Sequence, residues 1–85
     1  MMVRFTRHAR ARMMERGIGE EEVWATVCEP LDVVRGRHGR TLFTRHFVPC
    51  YYIVAVVEQA NEDLIVITVL RVDRERVLRY GFIRV

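Results

Sequence analysis

The stretch that decides the fold reads YYIVAVVEQANEDLIVITVLRV and runs from residue 51 to residue 72. Two parts of it, residues 51–58 and 64–72, are rich in β-branched and aromatic residues, and a polar turn at residues 60–63 separates them. Runs of this composition on either side of a turn are typical of neighbouring strands. The stretch therefore predicts an antiparallel pair of strands at the centre of a sheet.

Two helices are predicted before these strands. Thr6 can cap a helix over residues 7–16, because a threonine hydroxyl accepts a hydrogen bond from a free backbone N–H of the first turn. Gly17 can end that helix in the left-handed conformation. A second helix follows with Gly19 as N-cap and three glutamates in its first turn, and Pro30 indicates its end.

The rest of the chain predicts further strands and one more helix. Residues 32–35 and 41–48 are candidate strands, joined by an arginine-bearing hairpin at residues 35–40. Asp73 can cap a short helix over residues 74–80, and residues 82–85 form either an edge strand or a tail. Residues 2–5 are expected to be an extended lead-in.

This order of elements predicts an α+β fold in a single domain, residues 1–85. We expect the two N-terminal helices to pack on one face of a small antiparallel sheet of three to four strands, with a short C-terminal helix. No apolar run is long enough to span a bilayer, and no hydrophobic signal region follows the first residues. We therefore expect a soluble, cytoplasmic protein without a membrane partner.

Charge is distributed in blocks along the chain. Residues 1–16 carry five arginines against one glutamate, residues 35–45 carry four arginines, and residues 71–85 carry five arginines against two acids. Residues 17–34 carry five acids and no base. If the basic blocks meet in space, they form a face suited to nucleic acid or to an acidic protein.

The side chains that chemistry could use are few. All 14 basic residues are arginines, and the chain has neither lysine nor serine, which excludes a serine nucleophile. Cys28 and Cys50 form no Cys-x-x-Cys pair and the three histidines show no metal-ligand spacing, so we expect no metal and no cofactor. Two such lone cysteines are usually small buried hydrophobes.

The first helix concentrates the groups that can handle phosphate. His8, Arg12 and Arg16 are four residues apart and fall along one side of that helix. An imidazole can transfer a proton, and guanidinium groups bind phosphate oxygens in a bidentate manner. The same pattern is also compatible with an ordinary basic surface helix, in which the arginines pair with glutamates of the second helix.

Several short motifs resemble an uncharacterised bacterial domain family. They are Thr6-Arg7-His8-Ala9, Arg12-Met13, Arg16-Gly17-Ile18, a helix bearing Glu21-Glu22-Val23, a mid-domain Pro30 and a strand Val66-Ile67-Thr68-Val69. The family is of unknown function, and its fold is similar to that of the RelE/ParE-like toxin superfamily, whose enzymatic members cleave RNA without a metal. RelE-type ribonucleases rely on lysine, so in this lysine-free chain the proton chemistry rests on His8.

These observations lead to two hypotheses. The first is a metal-independent ribonuclease of the toxin–antitoxin type, and the alternative is a non-catalytic module of the same fold that binds nucleic acid or protein. Candidate partners are RNA, an antitoxin protein and a second copy of the chain. The candidate catalytic residues are His8, Arg12, Arg16, Thr68 and Arg71, and the candidate substrate-binding residues are Arg35, Arg37, Arg40, Tyr51 and Tyr52.

Overall fold

The structure, a computed structural model, describes residues 2–85, so Met1 lies outside the described part of the predicted domain. The described chain forms three helices and five strands. In order they are β1 (Val3–Phe5), α1 (Arg7–Arg16), α2 (Glu20–Cys28), β2 (Asp32–Arg35), β3 (Thr41–Phe47), β4 (Tyr51–Ala60), β5 (Asp63–Val72) and α3 (Arg74–Arg79).

The strands form one sheet in the order β1-β5-β4-β3-β2. The neighbours from β5 to β2 are antiparallel, and β1 is parallel to β5, with Val3 opposite Leu64 and Phe5 opposite Val66. The α+β class is confirmed, and the sheet has slightly more strands than predicted. The added strand is β1, which was expected only as an extended lead-in because three residues carry too little pattern to identify a strand.

The ends of the first two helices follow the predicted capping chemistry. The Thr6 hydroxyl accepts a hydrogen bond from the N–H of Ala9 at 3.0 Å, and Gly17 ends α1 with φ at 62°. At the start of α2, the N–H of Gly19 donates to the carboxylate of Glu22 at 3.0 Å. These local bonds fix where α1 ends and α2 begins.

Other boundaries differ from the prediction by one or two residues. Strand β3 ends at Phe47, β4 continues to Ala60, β5 begins at Asp63 and α3 ends at Arg79. The residues after α3 form a tail, in which Phe82 is buried.

The sheet separates two apolar clusters. The first lies between the sheet and both N-terminal helices, and its members include Ala9, Met13, Ile18, Val23, Val27, Ile53, Ala55, Val57, Val66 and Val69. The second lies on the other face beneath α3 and the tail, and consists of Tyr52, Val54, Val72, Val77 and Phe82 with partly buried neighbours. Both α1 and α2 therefore cover one face, as predicted.

A β-bulge between β4 and β5 sets which side chains share a face. Val57 is opposite Val66, whereas Val56 is opposite Thr68, so Ile67 is the extra residue. Beyond the bulge, Val69 and Arg71 face the N-terminal helices, and residues 68, 70 and 72 face α3.

Two observations on the described residues, 2–85, bear on function. None of their helices is long and apolar enough to cross a membrane. Among the same residues, no group of three or more histidine, cysteine, aspartate or glutamate side chains is placed to hold a metal ion.

Cys28 and Cys50 are both exposed, so the expectation that they are buried is corrected.

Candidate nucleic-acid interface

One side of α1 carries three of the predicted site residues. Ala9 and Met13 are buried against the sheet, and His8, Arg12 and Arg16 follow one another along the neighbouring side of the helix. His8 and Arg16 are exposed and Arg12 is half-buried. We call these three residues the α1 stripe, and from His8 to Arg16 it extends about 12 Å along the helix axis.

The two arginines of the α1 stripe have different partners. Arg12 forms an ion pair with Glu15, with Nη1 2.6 Å from Oε2, on the surface of the same helix. Arg16 instead reaches the sheet and donates from Nη1 to the carbonyl oxygen of Val69 at 2.7 Å. Arg12 is therefore held by an ion pair on the surface of its own helix, whereas Arg16 connects α1 to β5.

Arg71 lies where α1 ends. Its Nη2 donates to the carbonyl oxygen of Gly17 at 3.3 Å, and Gly17 directly follows Arg16. The centre of its guanidinium lies 4.3 Å from the ring centroid of Tyr51, which is a cation–π contact. The structure thus brings Arg71 to the C-terminal end of the α1 stripe.

Tyr51 connects this region to α2. Its hydroxyl donates to the carboxylate of Glu22, and its ring stacks on Phe47 with the centroids 5.8 Å apart. The hydrogen bond to Glu22, partial burial and the carboxylate charge raise the pKa of Tyr51 above its ordinary value. Tyr51 therefore keeps its proton and acts as a donor to Glu22.

Glu22 is a neighbour of Tyr51 that the sequence did not reveal. Burial opposes its ionisation, but hydrogen bonds from Tyr51 and Gly19 and the charge of Arg71 outweigh burial and lower its pKa. The sequence places Glu22 among the three glutamates in the first turn of the second helix. The spacing from Gly19 to Glu22 indicates the cap, but contact with Tyr51 depends on where α2 lies over β4.

Thr68 is not part of this surface. Since it is opposite Val56 and shares its face with Leu70 and Val72, it points to the side of the sheet that α3 covers. The helix α1 lies on the other side. The candidate catalytic residue Thr68 therefore lies on the opposite face of the sheet from His8, and the bulge at Ile67 is the reason.

The two adjacent tyrosines are on opposite faces, as strand alternation requires. Tyr51 faces the N-terminal helices, whereas Tyr52 is buried in the second cluster and donates its hydroxyl to the carbonyl oxygen of Val85 at 3.2 Å. Tyr52 therefore does not join the surface formed by α1 and Arg71.

The hairpin arginines lie at the opposite end of the sheet. In β3, Thr41 pairs with Val57 near the hairpin, and Phe47 pairs with Tyr51 at the other end, about 20 Å away. Arg35 and Arg37 are exposed at the hairpin, and Arg40 lies 3.8 Å from Glu58. The hairpin arginines are therefore separate from Arg71, which lies near the other end of the sheet.

Comparison with known proteins found a family whose matched range includes this surface. Residues 5–71 match the family described as "Domain of unknown function (DUF4258)". The matched range begins just before α1 and ends at Arg71, so it contains the α1 stripe, Glu22 and Tyr51. No curated protein and no solved structure matches the chain.

Proposed function

The chain belongs to DUF4258, a family of domains of unknown function, and we propose that it binds RNA along the solvent side of α1. The observation that carries the proposal is the alignment of the α1 stripe with Arg71, which places an imidazole and three guanidinium groups on one surface. Glu15 is the single acidic side chain of α1.

Guanidinium groups suit this role because their planar donors match the oxygens of a phosphate. A stripe about 12 Å long is too extended to surround one phosphate, and it fits a run of successive phosphates along a strand. This geometry supports binding along a nucleic-acid backbone better than it supports a compact active site made from all four residues.

A matched pair of arginine variants tests the proposal. Arg12→Ala and Arg76→Ala remove the same charge, one from the α1 stripe and one from α3 on the other face of the sheet. We expect Arg12→Ala to weaken the binding of a fluorescein-labelled RNA several-fold and to reduce the salt slope by about one. Arg76→Ala should leave both unchanged. Equal loss in the two variants, or no binding by the wild type, would refute the proposal.

Cleavage of the bound RNA is a second candidate activity, favoured by the exposed imidazole of His8 one turn before Arg12. In this reaction the 2′-oxygen attacks phosphorus while His8 takes the 2′-hydroxyl proton, and the bond from phosphorus to the 5′-oxygen breaks. Arg12 stabilises the developing negative charge, and water supplies the proton to the leaving oxygen. This is the metal-free chemistry that the resemblance to RelE/ParE-like toxins implies, with an antitoxin protein as the restraining partner.

Two histidine variants separate cleavage from binding. His8→Ala removes the proposed base, and His46→Ala removes an exposed imidazole from the opposite face of the sheet. With RNA and excess chelator, we expect the wild type and His46→Ala to form 2′,3′-cyclic phosphate ends, and His8→Ala to bind without cleaving. If the wild type binds RNA and forms no product, the catalytic candidate fails and the binding proposal stands.

A further inference from the structure

We infer that Arg71 is a stacking platform for an unpaired base, so that the RNA bound along α1 is single-stranded. The inference rests on the proposed function and names its substrate class. It comes from the arrangement of Phe47, Tyr51 and Arg71, which we call the aromatic–arginine stack.

The stack is built across three neighbouring strands. Phe47 on β3 is directly opposite Tyr51 on β4, and their rings are inclined by 16°. Arg71 on β5 approaches Tyr51 from the other side of β4, with its guanidinium carbon 4.3 Å from the ring centroid. Tyr51 is thus flanked by Phe47 on one side and by a planar cation on the other.

The guanidinium of Arg71 is held in place before any ligand arrives. Its Nη2 is bonded to the Gly17 carbonyl at 3.3 Å, and the Tyr51 ring beneath it is fixed by the hydrogen bond to Glu22. The bond to Gly17 uses one edge of the guanidinium, and the Arg71 side chain remains exposed. The guanidinium lies over the Tyr51 ring, and the stacking platform requires its opposite face to belong to the exposed part of the side chain.

An open guanidinium plane is a surface on which a nucleic-acid base can stack. Proteins recognise unpaired bases by stacking them on aromatic rings or arginine planes, and the bases of a duplex are not available for this contact. Because Gly17 joins Arg71 to the end of the α1 stripe, a strand whose phosphates follow α1 can place a base on Arg71. This combination selects single-stranded RNA over duplex RNA.

The test compares one sequence in single-stranded and duplex form, by fluorescence anisotropy, for the wild type, Arg71→Lys and Arg76→Lys. Lysine keeps the charge and loses the plane. We expect the wild type to prefer the single strand, and Arg71→Lys to weaken single-strand binding by about tenfold with duplex binding unchanged. Arg76→Lys, an exposed position of α3 on the other face of the sheet, should match the wild type for both forms.

A second measurement reports stacking directly. With 2-aminopurine placed at successive positions of the single strand, at least one position should gain fluorescence with the wild type, because the base leaves its stacked neighbours, and should gain less with Arg71→Lys. A urea unfolding curve of Arg71→Lys shows that the variant is folded. Equal wild-type affinity for both forms, or equal weakening of both by Arg71→Lys, overturns the stacking platform and leaves RNA binding in place. If neither form binds, the proposed function and the inference both fail.

Discussion

Arg16 and Val69 are joined by a hydrogen bond of 2.7 Å, from Nη1 of the arginine to the backbone carbonyl oxygen of the valine. Pairing between β1 and β5 ends at Val66, so Val69 lies on the part of β5 that β1 does not reach. Arg16 therefore satisfies a strand carbonyl and holds the C-terminal end of α1 against the sheet, in addition to contributing charge to the α1 stripe.

This bond predicts different stability effects for two arginines of α1. Arg16→Ala should lower the free energy of unfolding by about 1–2 kcal/mol, because it removes a charge-assisted bond to a carbonyl. Arg12→Ala should cost less than about 1 kcal/mol, because it removes only a surface ion pair with Glu15. Urea unfolding followed by circular dichroism measures both. Equal losses in the two variants would show that the Arg16 bond adds nothing to stability.

Thr6 provides a second stability prediction at the other end of α1. Its hydroxyl accepts from the N–H of Ala9 at 3.0 Å and donates to the carbonyl oxygen of Ile67 at 3.1 Å. Thr6→Ala should therefore lower the free energy of unfolding by about 1–2 kcal/mol. Thr6→Ser keeps the hydroxyl and should cost much less. If serine and alanine are equally destabilising, the hydroxyl bonds are not the cause.

The helix ends and the central strands were predictable because their causes are local. Thr6 and Gly17 determine the ends of α1 through chemistry within a few residues, and the composition of residues 51–72 determines β4 and β5 without knowledge of the rest. Strand β1 was not predicted as part of the sheet, because its three residues form a strand only through pairing with Leu64 to Val66, about sixty residues later.

The candidate site was predicted less completely, because it depends on contacts between distant segments. His8, Arg12 and Arg16 share a side of α1 by helical spacing alone, so the sequence placed them together. Thr68 was grouped with them as a candidate catalytic residue, but a single extra residue at Ile67 reverses the alternation of β5 and puts Thr68 on the other face. The contact between Glu22 and Tyr51 joins α2 to β4, and no local pattern in either segment indicates it.

The hydrogen bond from Tyr51 to Glu22 predicts that Tyr51→Phe changes the pH dependence of stability. The pKa of Glu22 is lowered from its ordinary value of 4.5 in the folded protein, so its contribution to stability is present above that value and is lost as pH falls through the folded pKa. Tyr51→Phe removes a donor to the carboxylate and should raise the Glu22 pKa. It should also lower stability at neutral pH by about 1 kcal/mol and less at acidic pH.

Carbon-detected NMR titration of the Glu22 side chain measures this effect in the wild type and in Tyr51→Phe. If the Glu22 midpoint in Tyr51→Phe is equal to or lower than that in the wild type, the tyrosine hydroxyl does not stabilise the charged carboxylate. Tyr52→Phe is a matched control, because it removes the hydroxyl of the adjacent tyrosine on the opposite face and should leave the Glu22 midpoint unchanged.

The hydrogen bonds that Asp32 accepts from the C-terminal tail predict that this attachment weakens in acid. Its Oδ2 accepts from the backbone N–H groups of Ile83 and Arg84 at 2.7 and 3.0 Å, and its Oδ1 accepts from the N–H of Val33 at 2.9 Å. These bonds, led by that from Arg84, lower the pKa of Asp32 from its ordinary value of 3.8. The stability that they supply is therefore present above that value and is lost as pH falls through the folded pKa.

On acidification, the amide signals of Ile83 and Arg84 should shift together with the titration of Asp32, because a protonated carboxyl is a weaker acceptor. Asp32→Asn should remove this coupled titration, and it should loosen the tail at neutral pH because the amide offers one neutral acceptor oxygen in place of the two charged oxygens that serve Val33 and the tail. Amide exchange at Ile83 and Arg84 should accelerate in the variant. If both amides keep their wild-type exchange rates in Asp32→Asn, the tail is held by the burial of Phe82 and not by the Asp32 carboxylate.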